Sequence, residues 1–71
     1  MKLKRVHYVD GKLEKHHPLH ELELAIKTNT DPYDYDSVHD FFNSMIVPPG
    51  YYAILALDEW GAFIEFYEPM N

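Results

Sequence analysis

Apolar positions along this chain follow two spacings, and each spacing points to a different element. Val38, Phe41, Phe42, Met45 and Ile46 recur at i, i+3, i+4, i+7 and i+8, the single stripe of an amphipathic helix, which predicts a helix over residues 38–46. Ser37 with Asp40 three positions on approximates a capping box, and Asp34 and Asp36 sit where the helix dipole favours negative charge. Pro48-Pro49-Gly50 ends the element. Beyond it, residues 51–57 are apolar on both faces and residues 62–68 alternate around Glu65 and Glu68, two strands flanking the turn Asp58-Glu59-Trp60-Gly61. A strand apolar on both sides is usually central or covered on its second face. Whether the turn holds three residues or four is open, and one residue of difference shifts the register.

The first half of the chain is less regular. Residues 2–9 run into Asp10-Gly11 and then into residues 12–17, a strand, a type I′ turn signal and a return strand, which predicts an N-terminal hairpin. Pro18 interrupts the pattern. Residues 20–27 alternate, with Leu22, Leu24 and Ile26 on one side, so a strand is expected there. Leu19, Leu22 and Ile26 also fit a helical stripe rich in good helix formers, and that is the alternative. Residues 28–36 form a turn-rich connection. The expected fold is α+β: one domain over residues 1–71, a small antiparallel sheet built from the N-terminal and C-terminal hairpins, with one amphipathic helix packed on one face. Phe41, Phe42, Met45, Leu55, Ile64 and Phe66 are expected to form most of the core.

Size changes the picture, because 71 residues without cysteine lie near the lower limit for a core that no disulfide or thiolate metal site supports. Charge changes it further. Five cations against two carboxylates give the first 17 residues +3, while ten carboxylates against Lys27 alone give the rest −9, together the formal −6. Such a body repels nucleic acid and anionic membrane and favours encounter with basic protein surfaces. The basic segment with His7 and Tyr8 could grip phosphate, but the acidic remainder opposes it. With no apolar run long enough for a leader peptide or a membrane span, the expectation is a cytoplasmic protein with neither membrane nor direct nucleic-acid partner.

Candidate chemistry is sparse. His16, His17 and His20 with Glu21 and Glu23 are the nearest approach to a metal site, but Pro18 interrupts the helix that would align them, and exposed polar residues at a bend are the expectation. With Asp31 taken as the first position of a calcium loop, the required glycine and glutamate places hold Asp36 and Phe42, so that reading fails. There is no glycine-rich phosphate loop, nucleophile elbow or cysteine nucleophile; no enzyme, no cofactor and no metal is expected. What stands out is an acidic and aromatic segment, Asp31, Tyr33, Asp34, Tyr35, Asp36 and Asp40, with Trp60 as a turn anchor. Carboxylates there would meet arginine and lysine of a partner, and the aromatics would supply rigid contact area.

In size, acidity, absence of cysteine and α+β plan, the chain resembles the broad group of small phage-encoded inhibitor proteins, among them anti-CRISPR proteins and inhibitors of host polymerases or nucleases. That resemblance is one of composition and transfers no residues. It implies a non-enzymatic acidic module that blocks a basic, nucleic-acid-handling surface of a larger protein, its carboxylates imitating a nucleic-acid backbone. The alternative is a structural or assembly subunit that homodimerises or docks through an exposed aromatic sheet face formed by Tyr51, Tyr52, Phe63 and Tyr67.

Overall fold

The computed structural model describes residues 2–6 and 12–70. Its elements in chain order are β1 (Lys2–Val6), α1 (His20–Asn29), α2 (Tyr35–Ser44), β2 (Tyr52–Leu57) and β3 (Ala62–Met70). The three strands form an antiparallel sheet of order β1-β3-β2, and the two helices make the whole an α+β fold. Leu57 pairs with Ala62, so the turn between β2 and β3 holds the four residues 58–61.

The central strand is β3, not β2, whose doubly apolar pattern had suggested the interior position. Its nine residues pair with β2 from Ala62 to Tyr67 and with β1 from Phe66 to Met70. Pro69, which has no N–H to donate, lies beyond the end of β2, where the described residues offer β3 no second strand to bond. Strict alternation along β3 buries Ala62, Ile64 and Phe66 on one face. Leu55 and Ala53 lie opposite Ile64 and Phe66 from one side, and Val6 meets Phe66 from the other. Leu19 and Val38 complete the fully buried cluster from above the sheet.

Two expectations for the first half are corrected. Residues 12–17 form turns rather than a return strand: His17 N–H donates to the Glu14 carbonyl at 2.9 Å, and β1 takes its partner from the far end of the chain. Leu13 is the one apolar side chain in that stretch and packs against the core, too little for a paired strand face. The Asp10-Gly11 turn and residues 7–9 lie outside the described residues. Residues 20–27 belong to helix α1, not to a strand. The helical spacing of Leu19, Leu22, Glu23 and Ile26 turns one stripe toward the core, whereas Leu24, which a strand would have placed beside Leu22 and Ile26, is 45% exposed. Pro18 precedes the first turn, where its missing N–H has no intrahelical partner to lose.

Helix α2 begins three residues earlier than the stripe implied and ends at Ser44. Its cap is Asp34, whose carboxylate accepts the Asp36 N–H at 3.1 Å; Ser37 instead uses its hydroxyl to accept the Asp31 N–H. Met45 is already extended, and Ile46 falls off the stripe at 89% exposure. Pro48 to Tyr51 then closes a turn in which Gly50 has φ +91°, the positive value that the third place of a type II turn demands.

Of the expected core, Ile64 and Phe66 are fully buried, while Phe41, Phe42, Met45 and Leu55 are half-buried around the cluster. Leu19, Val38 and Ala62 take the central places instead. Phe66→Ala should therefore cost about 3–5 kcal/mol, most of the stability of so small a domain, and Phe42→Ala distinctly less. Urea unfolding of both variants checks this; equal losses would mean that the centre of the core lies nearer to α2.

Candidate functional site

The segment 31–36 is built by short-range polar contacts. Asp31 accepts the Tyr33 N–H at 3.0 Å, Asp34 accepts the Asp36 N–H, and the Asp34 N–H returns to the Asp31 carbonyl at 3.0 Å. These turns point Tyr33 and Tyr35 outward, Tyr33 at 79% exposure. Tyr35 stacks on His39 one helical turn along, with centroids 5.4 Å apart.

A second turn meets this segment. Asp58 organises residues 58–61 by accepting the Trp60 and Gly61 N–H groups at 2.8 and 2.9 Å, which leaves Trp60 out in solvent at 74% exposure. The two loops are joined by one backbone bond, from Ala62 N–H to the Pro32 carbonyl at 2.9 Å. Gly61 is required at the join, because a Cβ there would sit 2.0 Å from the Pro32 oxygen. Between the loops lies an open depression of about 350 Å³ lined by Pro32, Tyr33, Asp58, Trp60, Gly61, Ala62 and Phe63.

The structure thus brings together residues that are far apart in sequence. Asp31, Tyr33, Asp34, Tyr35, Asp36 and Trp60 lie on two joined loops, and Asp40 continues the surface one turn beyond Asp36 on α2. Asp58 and Glu59 belong to the same end and were not singled out from sequence, because nothing local shows that the turn between β2 and β3 docks on residue 32. Among the described residues, none of these carboxylates lies within ion-pair distance of a lysine or arginine. Two cations of β1 are engaged elsewhere: Lys4 faces Glu68 at 3.9 Å and Arg5 faces Glu65 at 3.4 Å. The basic first segment is therefore partly neutralised on the sheet, and among the described residues the acidic end has no lysine or arginine partner.

The sheet's second face carries Leu3, Arg5, Tyr52, Ile54, Ala56, Phe63, Glu65 and Tyr67, with Leu3, Tyr52 and Ile54 about half exposed. A polar network holds its middle. The Tyr67 hydroxyl donates to Glu65 at 2.5 Å, and this hydrogen bond, with desolvation and the nearby negative charge, raises the phenol above its ordinary range while Arg5 opposes the shift.

The histidines are separated by their partners. His16 contacts Glu14 at 3.0 Å, His17 uses Nδ1 to accept the Leu19 N–H and tilts onto Tyr51, and His20 Nδ1–H donates to the Leu13 carbonyl. His17 and His20 thus each use Nδ1 to shape the entry into α1. Among the described residues no three histidines or carboxylates gather around a point that could hold an ion. No helix among them is long and apolar enough to cross a membrane.

The chain matches no protein-family model, no curated protein and no solved structure. Its class is given by its own fold and surface: a small α+β domain with one acidic and aromatic end. Gly61→Ala tests how that end is built. The added methyl cannot coexist with the Pro32 carbonyl, so the loops should part, with a loss of about 1–3 kcal/mol in thermal unfolding and a change in Trp60 fluorescence at unchanged helix content. An unaltered melting curve would mean that the two loops are not held together at Gly61.

Proposed function

We propose that this protein is a non-enzymatic binding module whose acidic end occupies a basic surface of a larger protein. The observation that carries the reading is the junction of residues 31–36 with residues 58–61, which sets Tyr33 and Trp60 around one depression and surrounds them with carboxylates that, among the described residues, pair with no lysine or arginine. Exposed tyrosine and tryptophan on short, hydrogen-bonded loops lose little entropy on contact, and unpaired carboxylates steer a cationic partner and align it. A surface that handles nucleic acid has the matching charge, so the consequence of binding is blockade: carboxylates take the places of phosphates. Inhibition of the phage-encoded kind fits this reading by composition and charge alone.

The second reading, a homodimer or assembly contact through the outer sheet face, is favoured by the exposure of Leu3, Tyr52 and Ile54. It is weakened by the Arg5, Glu65 and Tyr67 network at the middle of that face, whose partners are already satisfied within one chain.

Charge removal separates the two. Asp34→Asn with Asp36→Asn keeps a side-chain acceptor at the cap and removes two charges, and should weaken capture of a basic partner by at least about tenfold at low salt, with the difference shrinking as salt is raised. Binding of the captured partner at two salt concentrations, with sedimentation of the free protein, is the measurement. Unchanged affinity in the double variant, or a salt-insensitive dimer broken by Tyr52→Glu, would transfer recognition to the sheet face.

A further inference from the structure

Glu23 is the most anomalous residue in the fold. It points from α1 into the protein at 2% exposure, and neither carboxylate oxygen has a hydrogen-bond partner among the described residues. A buried carboxylate left this way is costly, and replacing it with an apolar residue usually stabilises a protein. Glu23 also lines a cavity of about 150 Å³, walled by Ile26, Thr30, Pro32, Val38 and Ile64, with Lys27 at its rim. The cavity lies beside the acidic end, sharing Pro32, Ala62 and Phe63 with the depression between the two loops.

We infer that this cavity receives an arginine side chain of the partner, its apolar walls covering the stem and Glu23 taking the guanidinium. The inference rests on the reading that the partner surface is basic. Two unpartnered oxygens on one carboxylate match the paired N–H groups of a guanidinium, which binds carboxylate in bidentate fashion, and a guanidinium is more weakly hydrated than an ammonium and so enters a confined site more readily. The Thr30 hydroxyl in the wall donates to the Ile26 carbonyl, and its oxygen can still accept one further N–H of the guanidinium. The oxygens touch no solvent, so the cation reaches them through a rotamer change that swings Glu23 into the cavity it lines. Lys27 stands four residues along the helix and is the competing cation, but it makes no ion pair with Glu23. Its side chain is exposed.

The test uses butylguanidinium as the probe on the full chain, followed by amide shifts and thermal melting. The expected result is saturable binding that moves residues around Ile26, Val38 and Ile64, weaker by at least about tenfold in Glu23→Gln and unchanged or tighter in Lys27→Met. Without probe, Glu23→Gln should melt at or above the parent temperature, since it replaces an unpartnered buried carboxyl with an uncharged group of the same shape. Four results would overturn the inference: no saturation in the parent, equal affinity in Glu23→Gln, a lower melting temperature of Glu23→Gln, or destabilisation by Lys27→Met, which would make Lys27 the true partner. Probe binding should survive in the Asp34→Asn, Asp36→Asn variant, so a failure at Glu23 and a failure of the acidic end are read separately.

Discussion

A central strand has to have both of its edges satisfied, and among the described residues β3 has three different neighbours. β2 runs along one side from residue 62 to 67, β1 covers the other from residue 66 to 70, and the Pro32 carbonyl accepts the Ala62 N–H. Unpaired backbone groups on a central strand are costly, so this last bond fixes more than a loop. It brings the acidic segment to the turn between β2 and β3 and sets the roof under which the Glu23 cavity lies. The core follows from the same strand, since the faces of Ala62, Ile64 and Phe66 are what Leu19 and Val38 close over.

Charge is distributed to match. β1 brings lysine and arginine to the strand that carries Glu65 and Glu68, and cross-strand pairs of opposite sign favour that pairing over like-with-like. Exposed pairs of this kind contribute little stability. Their larger effect is on what remains: with Lys4 and Arg5 engaged on the sheet, the acidic end has no lysine or arginine partner among the described residues. The acidic end and the orphaned Glu23 are both places where the fold departs from what stability favours, which is where binding sites are to be sought.

How much of this could be read from the chain depended on the range of the interaction. The α2 stripe and the strands around residues 58–61 were legible because their signals are local, and so was the acidic and aromatic character of residues 31–40. The N-terminal hairpin was misjudged because Asp10-Gly11 is a strong local signal, whereas the true partner of β1 lies sixty or more residues away. Helix α1 was misjudged for a chemical reason. Alternation put Leu22, Leu24 and Ile26 together, and choosing the helix required burying Glu23, which composition argues against. Gly61 was noted for its turn, yet its need arises from Pro32, an approach between residues far apart in sequence that no periodicity records.

The central claim is that recognition lies where the two loops join. Its most direct test is an amide shift map of the intact chain titrated with an arginine-rich peptide. The account predicts shifts concentrated at residues 31–36 and 58–61, including the Trp60 indole, that fade as salt is raised. Shifts centred on Leu3, Tyr52 and Ile54, or spread evenly over every acidic residue of the chain, would contradict it.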